Sequence, residues 1–265
     1  GRKLIRLEVT DPSSPYPRER RWVHYIANQH PGEYNAMWRI AGMIDYLLSD
    51  AGKDARQRSI CHFVIMQSPD GTASGWHRTN LQGIDMNRSY AVAGAFPEQG
   101  HEPYLFQKDL EGIMASSCPA TTVWSMHTWP GAADPTIVVS PSDRAVVGPP
   151  EKFAELLKKL DPEHKLVKPL KIDDRPFRWR TRPWTAGDSK PDGKSGGAWS
   201  SGPRAQFGVT ACLCEGGADL RTKEENIACG RILMQALAEY YAGIKPEPAS
   251  VPPPAGVPPA GQEKR

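Results

Sequence analysis

The chain has 265 residues, and its 33 Lys and Arg against 30 Asp and Glu give a net charge of +3. This length suits one large domain or two small ones, and 39% hydrophobic with 24% charged residues is typical of a soluble globular protein. No apolar run approaches the roughly 18 residues of a membrane-spanning helix, and so small a charge does not indicate nucleic-acid binding. Five cysteines without a C-x-x-C spacing form neither a disulfide framework nor a zinc finger.

Strand-like and helix-like segments alternate along the chain. From β-branched and aromatic content, strands are predicted at 4–9, 22–27, 60–66, 121–126 and 207–214. Apolar residues at helical spacing predict helices at 37–48 and 153–160, and a capping box at Thr222 opens a last helix that runs to about 240. This alternation predicts an α/β domain with a largely parallel or mixed sheet.

One break in composition divides the chain. Between 246 and 260, seven of fifteen residues are proline, which is typical of an extended, solvated segment because proline disrupts both helices and sheets. We therefore predict a folded domain at 1–244 and a Pro-rich disordered tail at 245–265.

Candidate metal ligands follow two of the predicted strands. His30 and Glu33 lie in a His-Pro-Gly-Glu turn after the strand at 22–27, and the turn brings an imidazole and a carboxylate to one point. His127 ends the strand at 121–126, and functional sites of α/β sheets lie at the carboxyl ends of strands. Each feature alone is also typical of a surface turn or a structural histidine, but His and Glu are the residues that bind catalytic zinc.

Other side chains could act on a substrate. Arg78 and Arg88, with Asn87 beside the second, could grip a carboxylate, because the planar guanidinium bonds both carboxylate oxygens at once. Alternatively they are surface charges. Glu215 directly follows the strand at 207–214 and could be a general base, or simply a loop acid.

In this order the motifs resemble the M14 zinc metallocarboxypeptidases, and within them the cytosolic-carboxypeptidase-like branch. The similarity covers residues 1 to about 241. The residues that carry it are His-Pro-Gly-Glu before an amphipathic helix, Pro-Asp-Gly at 69–71, Arg-x(6)-Asp-x-Asn-Arg from Arg78 to Arg88, the strand-terminal His127, Ser-Gly-Gly at 195–197 and Glu215 before the final helix.

The resemblance implies an α/β fold with a mixed, twisted eight-stranded sheet and helices on both faces. It also implies a metallocarboxypeptidase that hydrolyses the C-terminal peptide bond of peptides or proteins. By resemblance, His30, Glu33 and His127 bind one Zn²⁺ per chain, and Glu215 is the general base for a zinc-bound water.

The same resemblance gives Arg78 the role of polarising the scissile carbonyl, and Asn87 and Arg88 that of holding the terminal carboxylate. Family members usually carry a tyrosine between the third ligand and the base, on a loop that closes over the substrate, and this chain has none there. We take Trp199 as the candidate substrate-binding residue of that loop, with Lys194 as an alternative.

The start of the chain resembles the second strand of the family, so we expect the opening strand and helix, and any upstream β-domain, to be missing. The family branch implies a cytoplasmic location. A leader removed before this numbering begins would instead allow a secreted or periplasmic one.

Seven basic residues between 165 and 182 are either a solvated face or a positive rim that attracts acidic peptides. We therefore expect peptide or protein C-termini as partners, with acidic ones as a further option. Two other functions remain open. One is a zinc amidohydrolase of the aspartoacylase or succinylglutamate desuccinylase type, and the other is a non-catalytic peptide-binding module with a degenerate site.

Overall fold

The computed structural model describes residues 1–90, 101–128, 136–139, 150–167, 171–172, 209–216 and 221–243, together with residues 199, 203 and 207. Most of the basic segment, Lys194 and the predicted tail at 245–265 lie outside these residues, so the predicted boundary at 244 stays a prediction.

The described residues form one seven-stranded sheet with helices packed against it. The strands are β1 Leu7–Val9, β2 Trp22–Asn28, β3 Ser59–Val64, β4 Thr122–Met126, β5 Thr136–Val139, β6 Lys171–Ile172 and β7 Thr210–Glu215, in the spatial order β1-β3-β2-β4-β7-β5-β6. The helices are α1 Tyr34–Leu48, α2 Lys53–Arg58, α3 Pro69–Ala73, α4 His101–Met114, α5 Pro150–Leu160 and α6 Lys223–Ala242.

The sheet is mixed, as predicted. The neighbouring strands β3, β2, β4 and β7 run parallel, β5 and β6 pair parallel with each other, and β1 and β5 join their neighbours antiparallel. The resemblance implied eight strands, whereas the described residues form seven. Hydrophobic pattern did not reveal the short strands β5 and β6, because two to four residues are too few for a clear period.

The strand register brings the carboxyl ends of three parallel strands together. Asn28 of β2 pairs with Met126 of β4, which in turn pairs with Cys214 of β7. Residues just beyond these positions therefore meet at one edge of the sheet, and they include His30, His127 and the terminal residue of β7.

The core lies on both faces of the sheet. One face carries Ile26, Phe63, Trp124 and Cys214 against α1, α5 and α6, and the other carries Tyr25, Val64 and Val123 against α4. Side chains alternate between faces along a strand, so both faces of β2, β3 and β4 are covered, and every residue of these strands except Trp22 is buried.

Helices α1 and α6 cross at unusually short range through two glycines. A β-carbon at Gly42 would overlap the backbone carbonyl of Ile227, and one at Gly230 would overlap that of Arg39. The crossing fixes the position of α1, which follows the His-Pro-Gly-Glu turn, against α6, which follows β7. The capping box that starts α6 is present, with the Thr222 hydroxyl and the Glu225 carboxylate each accepting a backbone N–H from the other residue.

The structure differs from the sequence prediction in further elements. The strand predicted from 207 begins at Thr210, and Phe207 is helical and packs against the core. Helix α4 was not predicted, although Phe106, Leu110 and Ile113 stand at the i, i+4 and i+7 spacing of one helical face. Within the described residues, no helix combines the length and the apolar character needed to cross a membrane.

The glycine crossing predicts a large loss of stability on substitution. We expect Gly230→Val to lower the free energy of unfolding by about 3 kcal/mol, because the new side chain must displace backbone of α1. Gly112→Ala in α4 is the matched control, since its β-carbon would meet no atom within 4 Å and the change should be neutral or stabilising by up to about 1 kcal/mol. Urea unfolding measures both, and equal stability of the two variants would contradict the crossing.

Candidate functional site

The His-Pro-Gly-Glu turn connects β2 to α1 at the edge where the parallel strands end. The Gly32 N–H donates to the carbonyl of His77 at 2.9 Å, and a β-carbon on Gly32 would approach the His77 backbone within 2.6 Å. Glycine is therefore required for this close approach. Glu33 is the N-cap residue of α1, so its side chain starts from a rigid position.

The Glu33 carboxylate joins the ends of two strands. Its Oε1 lies 2.7 Å from Nδ1 of His30, and its Oε2 lies 2.9 Å from Nδ1 of His127 and accepts the Thr128 N–H at 3.0 Å. All four residues are buried, and the two imidazole rings are 4.9 Å apart between centroids. The structure thus brings together three side chains that are separated by up to 97 positions in sequence (127 minus 30).

These three side chains could hold a metal ion. One ligand atom from each of His30, Glu33 and His127 lies within 4.8 Å of the others. Two imidazole nitrogens and a carboxylate oxygen are the donor set of many catalytic zinc sites, which keep further coordination positions open. Both imidazoles direct Nδ1 toward the same carboxylate, so the donor atoms converge without a change of backbone.

The electrostatics of the cluster favour an ionised carboxylate. Burial opposes the charge of Glu33, but the imidazoles of His127 and His30 outweigh it and hold the pKa of Glu33 well below its usual range. Burial likewise lowers the pKa of His30, and hydrogen bonds to Asp85 and Glu33 reverse that effect and raise it.

Asp85 contacts the cluster through His30, and the sequence did not predict a role for it. Its Oδ1 lies 3.1 Å from Nε2 of His30, and its Oδ2 accepts the Nε–H of Arg78 at 2.7 Å. Burial raises its pKa, but His30 and Arg78 prevail and lower it to about 2. A carboxylate on the second nitrogen of a ligating histidine fixes the tautomer and ring orientation. The Asp-x-Asn-Arg motif contained this residue, but nothing in the sequence paired it with His30.

Arg78 and Asn87 lie beside the cluster. Arg78 is connected to it through Asp85, and Asn87 contacts His127 directly. Arg78 is partly exposed and is held by Asp85, and its Nη groups make no hydrogen bond to the part of the chain that the structure describes. The Asn87 amide lies 3.2 Å from Nε2 of His127, which also contacts Ser125 Oγ at 2.8 Å. Arg88 follows in the same 3₁₀ turn, half-buried, and one of its Nη groups donates to the Asn87 carbonyl.

Trp199 lies in the core, not on a surface that a substrate could reach. Its side chain is fully buried, and its ring packs against Tyr25 and Tyr90, each 5.2 Å away between centroids. Its link to the site is the backbone N–H, which donates to Oδ1 of Asn87 at 2.8 Å. The tryptophan therefore orients Asn87, and its ring does not line the site in this structure.

Glu215 ends β7 next to His127, whose N–H donates to the Cys214 carbonyl at 2.8 Å. Burial raises the pKa of Glu215; the neighbouring charges of His127 and His30 act in the opposite direction. Its carboxylate forms no hydrogen bond to the described residues and is not one of the three clustered side chains. An acid in this position, close to a candidate metal site but outside the clustered side chains, can exchange a proton with a reactant.

Residues 1–128 match the model of the Peptidase_M14 family, described as zinc carboxypeptidase. Among individual proteins, the chain is similar to cytosolic carboxypeptidase 3 of Mus musculus, with 39% identity over 110 residues, and to cytosolic carboxypeptidase 2 of Xenopus tropicalis, with 36% over 104. These matches cover 40% and 37% of this chain but only 11% of each relative, so the chain spans a small part of their length.

The fold is similar to solved carboxypeptidase structures. A metallo-carboxypeptidase from Burkholderia cenocepacia superposes with a TM-score of 0.65 and 20% identity, covering 91% of this chain and 62% of that one. This likeness confirms the predicted α/β carboxypeptidase fold, and the family match does not favour the amidohydrolase interpretation. The first 128 residues are thus similar to the M14 zinc carboxypeptidases, the fold is similar to that of solved carboxypeptidases, and the sequence relatives are cytosolic carboxypeptidases.

Proposed function

We propose that the chain is a zinc-dependent metallocarboxypeptidase that hydrolyses the C-terminal peptide bond of peptides or proteins. The observation that carries this proposal is the Glu33 carboxylate, which faces both imidazoles while a second carboxylate, on Glu215, stands at the end of the adjacent strand. The names of the cytosolic relatives support a cytoplasmic location as part of the same proposal.

His30, Glu33 and His127 would hold the zinc ion. Zinc suits this set because two nitrogens and one carboxylate converge, and because Asp85 supports one ring from its far side. When bound, zinc supplies Lewis acidity, which polarises a carbonyl and lowers the pKa of a water ligand to about 7.

Glu215 would move the proton. Its carboxylate accepts a proton from the attacking water as the new C–O bond forms, and gives it to the leaving amine as the peptide C–N bond breaks. Burial that raises the pKa of this carboxyl supports the role, since a base that must also release its proton works best with a pKa near the operating pH.

Arg78 would stabilise the charge that develops on the carbonyl oxygen. Asp85 fixes its Nε, so the Nη donors start from a defined position. Donors that are already oriented lose little free energy to reorganisation during the reaction, and removing one such donor typically costs about 10²–10³ in rate.

Asn87 and Arg88 would bind the terminal carboxylate of the substrate. One amide N–H of Asn87 is directed to His127, which leaves its second N–H for a ligand. The adjacent guanidinium supplies the charge. The Trp199 backbone N–H holds the Asn87 amide from the other side and so supports this function. An acidic substrate preference belongs to this proposal too, and it depends on the basic segment at 165–182.

The zinc assignment predicts about one ion per chain. We expect elemental analysis of the purified protein to find it, a chelator to remove it together with the activity, and His127→Ala to lose it. His101→Gln is the control, because His101 is a histidine outside the cluster. Unchanged zinc affinity in His127→Ala would contradict the assignment.

The proton-transfer role predicts that Glu215→Gln keeps zinc and loses about 10²–10⁴ in kcat, because an amide cannot accept the proton. The same change at the exposed Glu163 should leave kcat unaltered. Steady-state kinetics with a peptide substrate checks both variants. More than a tenth of the parent kcat in Glu215→Gln would require another base.

The carboxylate site predicts release of single residues from free C-termini and resistance of the same peptides once amidated. Amidation removes the charge that pairs with Arg88, a loss of about 1.5–3 kcal/mol or at least about tenfold in kcat/KM. Mass spectrometry of paired peptides measures the difference, and Arg88→Met should abolish it. Equal cleavage of both forms by the parent would contradict the role of Arg88, and rates of acidic peptides that do not fall with salt would exclude an acidic preference.

A further inference from the structure

Arg39 is a buried charge close to the site, and none of the roles above uses it. It lies in the second turn of α1, six residues after Glu33, and its side chain is completely buried. An arginine remains charged in proteins, and a buried charge is costly unless polar groups surround it. The partners of Arg39 therefore indicate what its position stabilises.

The Arg39 guanidinium contacts the ends of two strands, β4, which His127 follows, and β7, which Glu215 ends. One Nη donates to the backbone carbonyl of His127 at 3.2 Å, and the other donates to that of Gly216 at 2.5 Å. His127 directly follows β4, and Gly216 directly follows Glu215. One guanidinium thus contacts the backbone of His127, a candidate zinc ligand, and the backbone directly after Glu215, the candidate base.

Gly216 makes the second contact more specific. Its φ of 102° lies in the region that favours glycine, so the conformation directly after Glu215 would be strained for any other residue. The hydrogen bond from Arg39 fixes the Gly216 carbonyl in this conformation. A change in this conformation would rotate the end of β7 and move the Glu215 carboxylate relative to His127.

The third contact anchors the guanidinium itself. Its Nε donates to Oδ1 of the buried Asn226 at 3.0 Å, and the Asn226 amide donates in turn to the Thr222 carbonyl at 2.8 Å. Asn226 is in the first turn of α6. Arg39 therefore connects α1, the ends of β4 and β7, and the start of α6 through the hydrogen bonds of one guanidinium.

The acceptors of Arg39 are polar but neutral. Within the described residues no carboxylate pairs with it, and its acceptors are two carbonyls, one amide oxygen and, at 3.9 Å, the Cys214 sulfur. A lysine could not reproduce this arrangement, because it offers a point charge and not a planar fork of donors. The geometry of these acceptors fits a guanidinium specifically.

We propose that Arg39 is a positioning residue, which sets the orientation of His127 and Glu215 toward each other by fixing the carbonyls of His127 and Gly216. This inference rests on the proposed function. It goes beyond it by adding a residue that touches neither substrate nor metal.

A merely structural role is the alternative, since the Arg39 backbone also lies at the α1–α6 crossing. The chain offers a matched control for that possibility. Arg231 of α6 forms an exposed ion pair with Asp45 of α1, so it connects the same two helices through a surface contact. Arg231→Met removes a surface contact between the helices and leaves the site untouched.

The experiment compares Arg39→Met, Arg39→Lys and Arg231→Met with the parent in three measurements: zinc affinity by chelator competition, kcat and KM on a free-C-terminus peptide, and urea unfolding. For Arg39→Met we expect zinc affinity to fall about 10–100-fold and kcat to fall about 100-fold. KM should change less than about threefold, because Arg39 contacts neither Asn87 nor Arg88. Arg39→Lys should recover little of either loss, and Arg231→Met should leave both values at the parent level.

The outcomes distinguish the two proposals. If the parent binds zinc but cleaves no peptide, the proposed function fails, and the zinc affinities of the Arg39 variants still test the positioning role. Parent-like zinc affinity in a folded Arg39→Met would overturn that role, as would losses of equal size in Arg39→Met and Arg231→Met. If Arg39→Met does not fold, the same criteria apply to Arg39→Lys, in which full recovery of zinc affinity and kcat would overturn the inference.

Discussion

The arrangement of this site depends on one carboxylate that connects two strands. Glu33 accepts from both imidazoles and from the Thr128 N–H, so β2, β4 and α1 meet at its two oxygens. The cluster is buried and the carboxylate is strongly held in its ionised form, which makes the contact charge-assisted and therefore stronger than an ordinary hydrogen bond. A metal ion at this point would take over contacts that the fold has already aligned.

Helix α1 connects Glu33 to the ends of the other strands and to helix α6. Its first residue follows Glu33, its second turn carries Arg39, and its third turn crosses α6 at Gly42. Because glycines let the two backbones approach closely, the helix has little freedom to slide or rotate. The end of β4 is consequently held by both Glu33 and Arg39, and the end of β7 is held by Arg39. Catalysis of the proposed kind requires such rigidity, because small misplacements of reacting groups cost large factors in rate.

Features of this chain that depend on neighbouring residues were predictable from the sequence, whereas contacts between distant segments were not. The turn at His30, the amphipathic α1 and the capping box at Thr222 depend on residues within one or two turns of each other, and the structure confirms all three elements. Asp85 and Arg39 escaped prediction as site residues because their partners are distant: His30 is 55 positions from Asp85, and Gly216 is 177 from Arg39. Trp199 was the candidate substrate-binding residue of the loop that closes over the substrate. Its ring instead packs against Tyr25 and Tyr90, and no sequence pattern connects these residues to it.

By itself, the sequence determined the α/β class, the strand-terminal positions of His30, Glu33, His127 and Glu215, and the resemblance to a zinc carboxypeptidase family. Hydrophobic period and residue chemistry are local properties, so one chain is enough to read them. Only the tertiary structure decided how those positions meet: the register that aligns Met126 with Cys214, the carboxylate that both imidazoles face, and the guanidinium that spans two strand ends. Those contacts join segments far apart in the chain, and packing of helices on the sheet, not any local pattern, sets their distances.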